Sequence, residues 1–179
     1  MVGEGLTPQG RLFAAVVPPP EIVAALVDQL SPISLPGRPV PPANWHITLR
    51  FVGRVDEVAY ERWLGALDEI SREAFRVSVQ GLGAFPQPRR ATVLWASVES
   101  AGLGDLAEAV EEAAQRAGIP AEERPFRPHL TLARVRPPAD VRSQVEDAAV
   151  GTLRWTATEF HVMSAVGSRY AIHESFPLK

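Results

Sequence analysis

The feature that most constrains this chain is a short string that occurs twice, His-Ile-Thr-Leu at 46–49 and His-Leu-Thr-Leu at 129–132, each after a proline-containing loop. The surroundings repeat as well. Around each copy the apolar pattern gives the same order of elements: strand, helix, histidine-bearing strand, helix, strand. A duplicated unit of this kind predicts two lobes related by a pseudo-twofold axis, with equivalent strands facing each other across a cleft. The period is longer than that of the common solenoid repeats.

The elements follow from local pattern. RLFAAVV (11–17) predicts a strand, and the prolines at 18–20 end it before EIVAALVDQL, whose apolar spacing suits a helix. The Pro/Gly-rich stretch 31–44 is expected to be a loop, and HITLRFVG after it a strand that stops at Gly53. Between Asp56 and Glu73 the spacing places Val58, Trp63, Leu64, Leu67 and Ile70 near one helical face. FRVSVQGLG (75–83) and ATVLWASV (91–98) predict neighbouring strands, and GLGDLAEAVEEAAQRAG (102–118) the strongest helix, with Gly118 as its stop. After HLTLARV come a helix in PADVRSQVEDAAV and two more strands, TATEFHVMS and RYAIHESFPL.

Side chains alternate along a strand, so His46 and Thr48 point one way while Ile47, Leu49 and Phe51 point to the core. His129 and Thr131 separate from Leu130 and Leu132 in the same way. Two polar faces can therefore line one cleft. Near neutrality one imidazole can accept a proton while another, held protonated beside a phosphate, donates one. Phosphodiester cleavage needs both roles: a base to deprotonate water for attack on phosphorus, and an acid to protonate the departing ribose oxygen. The strain in a 2′,3′-cyclic phosphate makes departure of the ring oxygen easier, so no metal is obligatory. Each threonine hydroxyl, on the face of its histidine, can donate to a non-bridging oxygen where charge builds. A single His-x-Thr carries little information. The remaining histidines, His161 and His173, lack a following x-Thr and are assigned structural or surface roles.

Composition narrows the chemistry further. The chain has 179 residues and no cysteine, which removes disulfides, thiolate nucleophiles and Cys-ligated metals. An apolar content of 46% suffices for the core of one domain. No apolar run reaches the roughly 18 residues needed to span a bilayer, and MVGEGLTPQG lacks the regions of a signal peptide. The expected location is the cytoplasm, with no membrane partner. A net charge of −3 argues against nonspecific coating of nucleic acid but leaves room for a phosphate-bearing end. All basic side chains but Lys179 are arginines, so any phosphate clamp is a guanidinium fork.

These motifs resemble the RNA 2′,3′-cyclic phosphodiesterases, also described as 2′-5′ RNA ligases, of the two-histidine phosphoesterase superfamily. The resemblance runs from RLFAAV through NWHITLRFVG, FPQPRRATVLW and FRPHLTLARV to Tyr170 and FPL at 176–178, nearly the whole chain. It implies an α+β, bilobal, duplicated two-histidine phosphoesterase fold, with two antiparallel sheets around a central cleft and helices outside, in one two-lobed domain covering 1–179. It also implies roles: His46 as proton donor to the leaving oxygen, His129 as the base that activates water, Thr48 and Thr131 as phosphate binders, and a 2′-phosphate product. No cofactor or metal is implied. The substrates implied are RNA ends or cyclic nucleotides bearing a 2′,3′-cyclic phosphate, and a monomer is expected.

Arg134, in the H-x-T-x-x-R stretch, is a further phosphate candidate, but strict alternation aims it away from His129, so its role requires a bulge there. Arg50 shares the parity of His46 and is expected on the same face or at its solvated rim; Trp45 and Phe51 can stack a base, but core packing is the role expected for each. One departure from the family is the short Ser164-Ala165-Val166-Gly167 stretch, a trimmed loop beside the cleft. The residues alone leave open which histidine is acid and which base. They also leave open 2′-5′ ligation, hydrolysis of another cyclic nucleotide, and noncatalytic binding of RNA ends.

Overall fold

Apolar residues at nearly every position from Leu12 to Val16 make β1 (Arg11–Val16) a strand buried on both faces. The computed structural model describes residues 7–179; for residues 1–6 the reading of the N-terminus as lacking a leader lies outside the described residues. Prolines end β1 and start α1 (Pro20–Leu30), where a missing N–H costs nothing in the first turn. The expected loop follows, but it contains a short strand, β2 (Arg38–Pro39). Next come β3 (Ile47–Gly53) and α2 (Glu57–Asp68), whose first turn is capped by the Asp56 carboxylate accepting from the Ala59 N–H at 2.8 Å. Trp63 and Leu67 are fully buried on α2, but Val58 is exposed. Val58 and Leu67 are nine residues apart, two and a half turns at about 3.6 residues per turn, so they cannot share a face; Tyr60 lies on the buried face instead.

The second half continues with β4 (Phe75–Phe85), β5 (Ala91–Glu99), α3 (Ala101–Arg116), β6 (His129–Ala139) and α4 (Arg142–Asp147). It closes with β7 (Leu153–Ala157), β8 (Glu159–Val166) and β9 (Arg169–Pro177). The segment read as one strand, TATEFHVMS, is divided between β7 and β8 at Thr158, and the two pieces belong to opposite lobes.

The fold is α+β, and all strand pairs are antiparallel. Two four-stranded lobes, β3-β1-β8-β9 and β7-β4-β5-β6, flank the cleft as expected, and they run into one curled sheet through a single ladder pair, Ile47 with Leu130. The lobes exchange strands. After α2 the chain crosses to pair β4 with β5, and after β7 it crosses back to pair β8 with β1. Each histidine-bearing strand thus stands at the inner edge of its own lobe, where the two lobes join.

One continuous core fills the helical side, where Leu26, Trp63, Leu67, Leu103, Leu106 and Val110 pack on Ile47, Ala96, Leu130 and Phe160. On the opposite face of the first lobe a smaller cluster forms from Phe13, Ala15, Met163 and Ala165, with Tyr170 against it. Among the described residues no helix is long and apolar enough to cross a membrane.

Candidate active site

Two matching irregularities set the face of every residue near the motifs. Along the β1–β3 ladder Thr48 pairs with Ala15 and Arg50 with Ala14, so Leu49 is an extra residue and the strand carries a β-bulge. Leu49 and Arg50 then both turn to the helical side, and Phe51 returns to the cleft side opposite Phe13. Along β5–β6 the same shift lies between the Trp95–Thr131 and Leu94–Ala133 pairs. There Leu132 and Ala133 both turn inward, and Arg134 returns to the cleft side. The bulge that the phosphate role of Arg134 requires is present, at the same step of both repeats.

Two expectations fail for this reason. Arg50 is not beside the histidines: it is 7% exposed on the helical side, where its guanidinium donates to the Glu111 carboxylate and to the carbonyls of Phe51 and Pro120. Phe51 is not in the core either; it is 46% exposed, with its ring 5.4 Å from that of Phe13. Trp45 is buried as expected, its indole N–H donating to the Val40 carbonyl at 3.1 Å.

The four motif residues meet where the lobes join. Ile47 pairs with Leu130, so positions 46 and 131 lie across from each other on one side of that pair, and 48 and 129 on the other. Each histidine therefore neighbours the threonine of the other motif. Diagonal neighbours on paired strands are roughly 7–8 Å apart, which suits two imidazoles flanking one phosphate. Their electrostatics agree, because the charges of His129 and Arg134 both act on His46.

Both imidazoles are held alike. The Nδ1 of His46 is 2.8 Å from the Asn44 carbonyl oxygen, and that of His129 is 2.7 Å from the Arg127 carbonyl oxygen. A carbonyl only accepts, so Nδ1 carries the proton in each ring and Nε2 is left for chemistry. Aromatic rings fix the remaining orientation. Phe13 and Tyr170 lie 4.8 and 5.5 Å from His46, and Phe85 and Trp95 lie 5.0 and 6.4 Å from His129. Trp95 can lie flat on its neighbour strand only because residue 83 is glycine; a Cβ there would fall 2.1 Å from the indole. Burial lowers the pKa of His46; the Asn44 carbonyl opposes this, and the positive charges of His129 and Arg134 add to it.

The other two histidines stay out of this constellation. His161 is buried, bonded at 2.8 Å to the Ser175 hydroxyl, and its pKa is lowered by burial against the opposing charge of Glu159. His173 is exposed and bonded to the Ser164 hydroxyl at 2.7 Å. The short stretch 164–167 forms a tight β8–β9 hairpin, whose Ser168 carbonyl accepts from the Asn44 side chain at 3.1 Å, two residues from His46. Sequence reasoning missed the ring partners Phe13, Phe85 and Trp95, although strand alternation from a correct pairing would have placed them. Among the described residues no group of three His, Cys, Asp or Glu side chains is arranged to hold a metal ion.

Comparison with known proteins gives a consistent picture. A family model for LigT-like phosphoesterases matches residues 16–95 and again 97–170, one match to each half of the chain. An RNA 2′,3′-cyclic phosphodiesterase of Thermus thermophilus is 35% identical over 94% of this chain and 90% of its own length. A second such enzyme, from Aeropyrum pernix, is 38% identical over 64% of this chain and 66% of its own. Among solved structures, Escherichia coli LigT complexed with 3′-AMP superposes with a TM-score of 0.75 at 27% identity, covering 95% of this chain and 98% of that one. A crystal structure of a Thermus thermophilus protein also gives 0.75, at 30% identity over 94% and 97%.

Proposed function

This chain belongs to the LigT-like phosphoesterase family, and from that premise we propose that it is an RNA 2′,3′-cyclic phosphodiesterase whose His46 and His129 act as a metal-independent acid–base pair. The observation that carries the mechanism is the seam at Ile47 and Leu130, where two His-x-Thr strands from different lobes meet with both Nδ1 atoms tied to backbone carbonyls.

His129 Nε2 takes a proton from water as the water oxygen attacks phosphorus. The bond from phosphorus to O3′ breaks, and protonated His46 gives its Nε2 proton to that oxygen. The products are a 3′-hydroxyl and a 2′-phosphomonoester, and exchange with solvent resets both rings. Thr48 and Thr131 donate to the non-bridging oxygens, and Arg134, brought to the cleft face by its bulge, holds the same phosphate. Burial disfavours the charged form of His46 in the free protein, and an arriving phosphate anion opposes this by favouring the protonated ring, so the substrate itself supports the acid role.

The catalytic unit spans both lobes as a single duplicated domain, since each supplies one histidine. A second copy of the chain is not needed, and the enzyme is assigned as a cytoplasmic monomer acting on cyclic phosphate ends of RNA. The test is phosphorus NMR of the product from an RNA ending in a 2′,3′-cyclic phosphate, in excess EDTA. A 2′-phosphate formed at the rate seen without chelator is expected. A 3′-phosphate product, or activity lost to EDTA and restored by one metal ion, would refute the reading, and tight binding without turnover would make the protein a binder of RNA ends.

A further inference from the structure

Two arginines stand directly opposite each other beside the site, and among the described residues neither is paired with a carboxylate. Arg38 of β2 is the cross-strand partner of Arg134 of β6. Such partners project from the same face of a sheet, and the bulge in β6 makes that face the cleft. Both side chains are exposed, and neither takes part in an ion pair among the described residues. Like charges opposite each other on paired strands are destabilising, so an anion between or beyond them is what the arrangement favours.

The placement of Arg38 is built into the backbone. Gly37 has φ +70° and lies so close to β6 that a Cβ there would fall 2.3 Å from the Arg134 carbonyl oxygen. Pro39 then pairs with Ala133, and the Val40 N–H donates to the Leu132 carbonyl at 2.8 Å. Trp45 anchors the same segment through the Val40 carbonyl. This Pro/Gly-rich connection is thus clamped to the strand that carries His129, and its one charged side chain is delivered to the cleft.

We propose that Arg38 binds the phosphodiester immediately 5′ of the terminal cyclic phosphate, so that the site selects the end of an RNA chain over a lone cyclic nucleotide. The inference rests on the reading of the cleft as the cyclic-phosphate site. Opposed residues have Cα atoms about 4.5–5.5 Å apart, and two guanidinium forks starting from that spacing can splay to adjacent phosphates of one strand. Arginine suits the task, since its planar fork donates two bonds to one phosphate.

The experiment compares two dinucleotides ending in a 2′,3′-cyclic phosphate, one with an ordinary phosphodiester linkage and one with a neutral methylphosphonate linkage, on wild type and Arg38→Ala. Wild type is expected to lose about tenfold in kcat/KM on the neutral linkage, mostly through KM, as for loss of a charge-assisted contact. Arg38→Ala is expected to turn over the two dinucleotides equally, with Arg38→Lys restoring part of the discrimination. Wild type indifferent to the linkage, or Arg38→Ala as sensitive as wild type, overturns the proposal. Binding of dinucleotides ending in a 2′-phosphate, with the same two linkages, reads the contact without turnover. Wild type that discriminates in binding but opens no cyclic phosphate would contradict the function above and leave the Arg38 contact standing.

Discussion

Replacing Arg50 by alanine tests the bulge and the joint between the lobes together. Its guanidinium is 7% exposed and the Glu111 carboxylate 22% exposed, and the pair ties β3 of the first lobe to α3 and the segment after it. Breaking a fully buried pair costs about 3–5 kcal/mol. Glu111 is partly solvated and keeps the Glu122 N–H at 3.0 Å and the Gln115 amide at 2.8 Å, so the cost belongs at or below the lower end, about 2–3 kcal/mol. For a domain of this size that is a fall of about 4–12 °C in Tm. Burial raises the Glu111 pKa, but the hydrogen bonds from Glu122 and Gln115, with the Arg50 bond and charge, outweigh it and leave a net lowering. A carboxylate with a lowered folded pKa contributes stability above its unfolded pKa and loses it as pH falls through the folded value. Urea unfolding at pH 7 and at pH 3 should therefore show a large gap between wild type and Arg50→Ala that narrows in acid. A loss under about 0.5 kcal/mol at pH 7 is what an exposed rim arginine would give; that result, or an equal gap at both pH values, would refute the reasoning.

Thr48→Ala and Thr131→Ala are each expected to lower kcat by roughly ten- to a thousandfold with little change in stability, as for loss of one transition-state donor; unchanged rates would make both threonines structural. The pH profiles of kcat/KM and kcat should differ, since the first reports the free enzyme and the second the complex. With His46 as the acid, its lowered pKa puts the alkaline limb of kcat/KM below the ordinary histidine range, and bound phosphate moves the limb of kcat to higher pH. Coincident limbs would show that phosphate does not raise the His46 pKa. His46 and His161 both have lowered pKa values, so the unfolded chain binds more protons, and stability should fall with pH from the ordinary histidine value down through the folded ones. A flat stability curve there in calorimetry would place both rings in solvent.

Most elements were legible because apolar spacing reports directly on burial: β1, α1, α3 and the two histidine strands lie where their patterns put them. What the pattern missed are features of pairing. Neither Leu49-Arg50 nor Leu132-Ala133 contains a glycine or any other mark of a bulge, so parity counted from His46 sent Arg50 to the cleft and Phe51 to the core. The repeat held the missing signal, since a bulge in one copy predicts one in the other, and the arginine five residues after His129 makes chemical sense only on the cleft face. Strand β2 escaped for a different reason. Its hydrogen bonds are made to β6, far away in sequence, and a proline-rich segment carries no period of its own. The exchange of β4 and β8 between lobes was equally invisible, because strand order within a sheet is set by packing across the whole chain.

The central claim, that two histidines act in one transition state, is tested most directly by a double-mutant cycle in kcat/KM on an RNA ending in a 2′,3′-cyclic phosphate. Groups that act as a unit are strongly non-additive, so His46→Ala and His129→Ala should each remove most of the acid–base contribution, and the double variant should lose little more than either alone. A folded single variant with near wild-type turnover, or losses that simply multiply in the double variant, would contradict the account.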